Sequence, residues 1–311
     1  MTRTHKAQHF VPKSYLSAWT DPGAPSHHTP FVWVIDKRTG SRKPKSPENL
    51  FKETDLYTVH TPEGHRDLRL EHGLSQLEKG ISALRKEFIE TRKPLPSPRY
   101  TKLVIFLSAL KNRTPTFARQ QRQMWGEILE MGRSLEESLA EKSPEELAYI
   151  GSRSIGGDAP TISLEQVQLL ADHPFQLLMP TAMEGQLPIL LNMSAQIYCS
   201  DDPDASFVTS DNPIGIYDPQ AHTYPLMYRH HSLLSPTVEI TMPLSPTRAL
   251  LLKNDAQDRG GAGSLIYADV PKSWVDIFNL RTIAFADPYV VAQRESFDFD
   301  WSSLSAGVEE D

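Results

Sequence analysis

The hydrophobic positions of this chain change period twice. Leu70, Leu74, Leu77, Ile81, Leu84 and Phe88 recur alternately four and three residues apart, which places all six on one stripe of a single helix. Leu103, Phe106, Leu107 and Leu110 form the buried face of the next helix, opened by Ser97 as N-cap with Pro98 behind it. The two helices are predicted to pack antiparallel. Pro115 removes a backbone donor, so the second helix is expected to kink or break there before Phe117 resumes it. Ser143-Pro-Glu-Glu and Ser163-Leu-Glu-Gln carry the capping-box pattern and start two further helices, with a mobile Gly- and Ser-rich loop between them.

On either side of this segment the period shortens to two. Phe31 to Ile35 reads as a strand, Asp36 to Gly40 as a turn, and Asp55 to His60 as a second strand. The basic stretch Ser41-Arg-Lys-Pro-Lys-Ser-Pro47 between them reads as a solvated connector. Val11, Tyr15, Leu16 and Trp19 share one face of a short helix that Pro12 opens. After about residue 190 come closely spaced strands at 196–199, 207–209, 238–242, 248–253 and 265–267. A helix from Trp274 to Ala286 precedes the final strand, Tyr289 to Gln293. Closely spaced strands with Asp-, Pro- and Gly-rich turns predict an antiparallel or mixed sheet. The early strands cannot bury both faces alone and are expected to join it. The reading is one α+β domain over residues 1–301, with a helical segment at about 68–192 that includes a long Pro-interrupted helix, and a disordered tail at 302–311.

Composition narrows the function classes. A net charge of -7 over 311 residues argues against a surface that clings everywhere to nucleic acid or anionic lipid. The start of the chain lacks the apolar core of a signal peptide and no apolar run reaches the length of a membrane span, which predicts a cytoplasmic protein without a membrane partner. Cys199 is the only cysteine, so no internal disulfide or multi-cysteine zinc site can form.

The stretch from Ser206 to Asp218 presents side chains on a stiff turn. Phe207 and Val208 read as strand, Asp211 and Asn212 can bond their own backbone, and Pro213 biases Asn212 away from the α region. Thr209-Ser-Asp-Asn-Pro213, together with Gln8-His9-Phe-Val-Pro12, Tyr15-Leu16, Asp55 to Thr58, Arg113-Thr-Pro115 and Pro243-Leu-Ser-Pro246, resembles the bacterial domain of unknown function 4238 from end to end. The resemblance implies a shared fold and a shared site at His9, Pro12, Arg113, Pro115, Ser210, Asp211, Asn212 and Pro213. It brings no particular chemistry with it.

Each candidate residue has two readings. His9 is either a general acid or base, paired with a carboxylate such as Asp211 or Glu78, or a histidine bonded into the first helix cap. Arg113, directly before a helix break, is either a planar fork for carboxylate or phosphate or one half of a buried salt bridge. Asp211 and Asn212 either position water or a divalent metal or close an Asx turn. His5 stands four residues before His9, a metal-ligand spacing on a helix that Pro12 argues against, and the adjacent His230 and His231 would point to opposite faces of a strand. Between Arg92 and Arg122 lie Lys93, Arg99, Lys102, Lys111, Arg113 and Arg119 with no acidic residue. This stripe is either a face for nucleic acid or a phosphate-bearing small molecule, with Tyr100 or Trp125 stacking a base, or a solvated face paired with the acidic helix that follows. No P-loop, dinucleotide fingerprint, zincin helix or serine elbow occurs. The expectation is a hydrolase acting on a phosphate-bearing substrate, nucleic acid included, with His9 as acid or base, Arg113 as clamp, and Asp211 with Asn212 placing water or metal. The alternative is a non-catalytic ligand- or protein-binding module whose motif residues hold a groove.

Overall fold

The computed structural model describes residues 7–25, 27–60, 65–152, 162–225, 232–254 and 265–297. It opens with β1 (Ala7–His9) and the short helix α1 (Lys13–Leu16), which a 3-10 turn extends to Trp19. Val11, Tyr15, Leu16 and Trp19 are all buried, as their spacing predicts. β2 (Val32–Asp36) and β3 (Arg42–Lys45) follow as a hairpin. β3 occupies the basic stretch expected to be a solvated connector. It pairs on one side only, and an edge strand accommodates Pro44 because one row of its backbone groups needs no partner. β4 (Lys52–Thr54) pairs back onto β1. The strand expected from Asp55 is a turn instead: Asp55 takes a left-handed backbone at φ 55°, and only β5 (Val59–His60), paired with β6 (Arg66–Asp67), is extended.

The six-residue leucine stripe does not form one helix. α2 (Arg69–Glu78) ends ahead of Gly80, whose φ of 78° suits glycine, and α3 (Ile81–Leu84) runs into a π turn over residues 85–89. The wider turn rotates the following side chains. Leu74, Ile81 and Leu84 are buried on the stripe, but Ile89 and Arg85 then take the inward positions, while Phe88 is half-buried. α4 (Ser97–Asn112) buries Leu103, Phe106, Leu107 and Leu110 as expected, with Pro96 rather than Ser97 at its N-cap. α5 (Pro115–Ala140) is a new helix: Pro115 starts it, and the Thr114 hydroxyl accepts the Phe117 N–H at 3.3 Å. α6 (Pro144–Ser152) and α7 (Leu164–Asp172) start at the two predicted capping boxes. α8 (Pro174–Asn192) packs on α4, and α7 on α5. Gly132 permits that second contact, since a Cβ there would meet Leu164 at 2.4 Å.

The remaining strands are β7 (Ser194–Cys199), β8 (Thr209–Ser210), β9 (Gly215–Tyr217), β10 (Glu239–Ser245), β11 (Arg248–Lys253) and β12 (Leu265–Asp269). Helix α9 (Lys272–Phe285) leads to β13 (Tyr289–Ala292). β12-β7-β11-β10-β9 form a mixed sheet in which only β12 and β7 run parallel. β3-β2-β13-β8 form a second, antiparallel sheet that joins the first strands to the last. The fold is therefore α+β, with the main core between the mixed sheet and helices α1, α3 and α4. The 153–161 loop, the 302–311 tail, His5 and His230-His231 lie outside the described residues.

The π turn is testable by unfolding. Ile89→Ala is expected to cost about 2–5 kcal/mol in denaturant unfolding, as for other fully buried aliphatic positions. A cost under about 0.5 kcal/mol would mean that the helix runs through uninterrupted, with Ile89 off the stripe.

Candidate functional site

β1 and α4 bring His9 and Arg113 together. Arg113 is only 2% exposed, and its donors are directed at protein groups. Nη1 donates to Glu78 Oε1 at 2.7 Å, Nη2 donates to the His9 carbonyl, and Nε reaches the Tyr57 hydroxyl at 3.4 Å. That hydroxyl in turn donates to the Arg113 carbonyl at 2.9 Å. Gln8 completes the tie, accepting the Tyr57 N–H at 2.6 Å and donating to the Thr58 hydroxyl at 2.9 Å. The expected carboxylate partner is thus Glu78. A fork sealed in this way is not presented to a phosphate in solvent.

His9 keeps a half-buried ring whose Nε2 lies 3.1 Å from the Glu48 carbonyl. Burial pulls its pKa below the ordinary histidine value, the bond to Glu48 raises it, and the Lys52 charge lowers it again. His9 is therefore held toward the neutral form.

Asp211 and Asn212 belong to a second cluster. Both Asp211 oxygens accept backbone N–H groups, from Asp287 at 2.6 Å and from Tyr289 at 3.0 Å, while its own N–H donates to the Tyr289 carbonyl at 3.1 Å. Asn212 Nδ2 donates to the Phe285 carbonyl at 2.9 Å, pinning the end of α9. Burial pushes the Asp211 pKa up to about 6 against the opposing pull of those two N–H bonds. Burial also raises Asp287, but Arg119 and Thr116 at the start of α5 bind its carboxylate and hold it below the usual range. His9 and Asp211 share no bonded partner among the described residues. Nor does any group of three or more His, Cys, Asp or Glu side chains stand together as metal ligands among them.

Several residues of the Arg92 to Arg122 stripe are engaged within the protein. Arg92 pairs with Asp201 at 2.7 Å and Asp269 at 2.6 Å, Arg119 with Asp287, and Lys102 with the Lys79 carbonyl. Tyr100, one of the two stacking candidates, is buried.

A groove of about 370 Å³ lies where the two clusters meet the second sheet, lined by Val34, Asp36, Ser41, Lys43, Lys45, Asn49, Leu50, Phe51 and Tyr289. Strand register explains its composition. Lys45 stands opposite Val32, Lys43 opposite Val34, and Tyr289 opposite Asp36, so alternation turns Ser41, Lys43, Lys45, Val34, Asp36 and Tyr289 to one face. The segment 49–51 forms the facing wall. It is held by the first cluster: the Phe10 N–H donates to the Phe51 carbonyl at 2.8 Å, His9 bonds Glu48, and Phe51 adopts a left-handed φ of 53°. Tyr289, on the other wall, is held by Asp211.

A sequence model of the family described as "Protein of unknown function (DUF4238)" matches residues 7–296. The chain belongs to the DUF4238 family. No curated protein and no solved structure matches it. In this DUF4238 chain the short motifs meet as cross-links. Tyr15 of the first motif is 2.8 Å from the Thr209 hydroxyl and donates to the Pro243 carbonyl at 2.7 Å, joining three motifs in the core. Sequence reasoning missed Lys43, Lys45, Asn49, Phe51 and Tyr289. The period-two placing of Ser41, Lys43 and Lys45 was visible, but the two prolines made the stretch read as a connector. Among the described residues no helix is long and apolar enough to cross a membrane.

Two measurements separate bracing from catalysis. Arg113→Lys keeps the charge but cannot serve Glu78, His9 and Tyr57 together, and is expected to lose about 2–4 kcal/mol of stability; an unchanged thermal midpoint would show that the fork is not structural. Asp211 has a folded pKa above its unfolded value, so its contribution is fully present below pH 3.8 and is lost as pH rises to about 6. The penalty of Asp211→Asn is therefore expected to be largest near pH 3.5 and to shrink by pH 6.5 in thermal melts. A penalty that grows with pH would mean that the carboxylate is stabilised as the anion.

Proposed function

We propose that this protein is a non-catalytic ligand-binding module in which the family motifs hold a groove. One observation carries the reading: the two motif clusters, distant in sequence, grip opposite walls of the same cavity. Gln8, His9 and Arg113 fix β1 and, through Phe10 and Glu48, the wall at 49–51. Asp211 fixes the backbone of Tyr289 from the far side. Residues engaged in this way supply geometry. The groove side chains, which bond little else, supply recognition. Its volume falls at the lower end of the range for small-molecule sites, roughly 300–1,000 Å³. A cleft of about 180 Å³ beside α9 is smaller, and its Lys272 is paired with Asp276 at 3.2 Å; a cleft of the same 370 Å³ at α6 is lined by Glu145 and Glu146, and its one lysine, Lys142, is paired with Glu146 at 3.7 Å.

The hydrolase reading keeps one supporting observation. Asp211, raised to about 6, sits beside Asp287, held low, and two carboxyls with diverging pKa values are the pattern of an acid and base pair. In that reading His9 serves as acid or base and Asn212 helps to place water or a divalent metal. Against it stand the two backbone N–H groups that occupy both Asp211 oxygens.

Thermal-shift screening of a small-metabolite library against the full chain and against Ser41→Trp, which fills the groove from an exposed position, tests the binding reading. The expected outcome is a ligand that raises the wild-type midpoint and leaves the variant unmoved. Turnover in a phosphatase and nuclease panel with and without Mg²⁺ or Mn²⁺, lost in His9→Gln, would overturn it in favour of the hydrolase.

A further inference from the structure

The groove carries charge that the protein leaves uncompensated. Lys43 and Lys45 are exposed and form no ion pair among the described residues. Asp36, the carboxylate that shares the groove, is already engaged by the Arg38 backbone N–H at 2.9 Å and by Arg38 Nε at 3.5 Å. Two residues apart on one strand, the lysines project to the same side roughly 7 Å from one another, so both can reach a single anion. Beside them Val34, Leu50 and Phe51 give an apolar wall, and the ring of Tyr289, 39% exposed, offers an aromatic face fixed at its backbone by Asp211.

Lysine and proline on an edge strand also protect it from pairing with another chain. That accounts for Lys43, Pro44 and Lys45 as a set. It does not account for the cavity opposite them, or for the left-handed backbone at Phe51, a non-glycine residue. Backbone strain of this kind is kept only where the surroundings over-determine it.

We infer that the groove binds a phosphomonoester of about mononucleotide size, with its phosphate between Lys43 and Lys45 and its planar body against Tyr289. This rests on the ligand-binding reading above. A dianionic phosphate matches two lysines where a carboxylate matches one. The groove is of mononucleotide size, and four basic residues of the Arg92 to Arg122 stripe, Arg92, Lys102, Arg113 and Arg119, are engaged by partners in the protein. Binding strengthens as pH rises through about 6, where the phosphate takes its second charge.

Isothermal titration calorimetry on the full chain, with AMP, ribose 5-phosphate, adenosine and inorganic phosphate as probes, tests the inference. AMP is expected to bind at least about tenfold more tightly than adenosine or inorganic phosphate, and to lose roughly tenfold or more in the double variant Lys43→Gln, Lys45→Gln, as for charge-assisted contacts. Tyr289→Leu is expected to erase the preference for AMP over ribose 5-phosphate, and Ser41→Trp to abolish binding. Adenosine binding as tightly as AMP, and blocked by Ser41→Trp, would overturn the phosphate assignment and leave the binding module standing. AMP binding that ignores both Ser41→Trp and the lysine variants would place the ligand elsewhere and overturn both. No heat from either phosphomonoester at millimolar concentration also overturns the inference, as does a single-stranded oligonucleotide that outcompetes AMP in a lysine-dependent way.

Discussion

A buried guanidinium has to be satisfied, and the way Arg113 is satisfied ties the front of this fold together. Desolvating a charge costs several kcal/mol unless partners surround it. The partners here come from three places: Glu78 at the end of α2, the carbonyl of His9 on β1, and the Tyr57 hydroxyl in the turn before β5. Removing any one of them leaves charge or a carbonyl unmatched in the interior. The arginine therefore specifies where β1 sits against the helical segment as much as it stabilises the contact. Thr114 and Pro115, the next residues in its motif, stop one helix and start another at that point, which leaves Arg113 as the C-cap of α4 with its side chain turned inward.

The same economy of polar ties recurs at the other motifs. Trp19 Nε1 donates to the Phe207 carbonyl at 2.9 Å, and Asn279 of α9 both accepts from the Val208 N–H and donates to the Ser206 carbonyl, each at 2.9 Å. The run from 206 to 212 has only two residues in regular pairing, so most of its backbone groups need partners from elsewhere. The side chains of Trp19, in the 3-10 turn, and Asn279, together with the backbone carbonyls of Pro246 and Tyr289, supply them. An irregular segment can be buried in this way because its polar groups are bonded one by one rather than by a long ladder.

Periodicity made the elements legible wherever one face is buried along a continuous run. α4, α5, α9 and the strands β2, β10, β11 and β13 fall where the pattern puts them, and the joining of early to late strands follows from the need to cover both faces. Two of the misplaced elements share a physical reason. A π turn at 85–89 and a left-handed residue at Asp55 are single-residue changes of backbone geometry that shift every later side chain without altering the apolar content that periodicity reads. β3 was hidden for a different reason: an edge strand needs a partner on one side only, so it tolerates the proline and charge that usually mark a loop. His9, Arg113, Asp211 and Asn212 were legible as polar residues on turns. Whether such residues face a solvent-filled site or one another is decided by long-range packing, which no local spacing encodes.

That distinction decides how the motifs are to be understood. A group that meets a ligand or substrate needs a free atom, whereas a bracing group is most effective when every atom is bonded. Asp211, with both oxygens on backbone N–H groups, and Arg113, with its fork spread over three partners, meet the second requirement. His9 is intermediate, with its carbonyl given to Arg113 and its ring only half-buried. The groove side chains meet the first requirement, since Lys43, Lys45 and Tyr289 stand exposed on the face of one sheet and their backbones are locked in β3 and β13. A site built on strands is held more precisely than one on loops. The sequence features easiest to recognise are thus the frame, and the less conspicuous lysines and tyrosine are the side chains that the proposed ligand would meet.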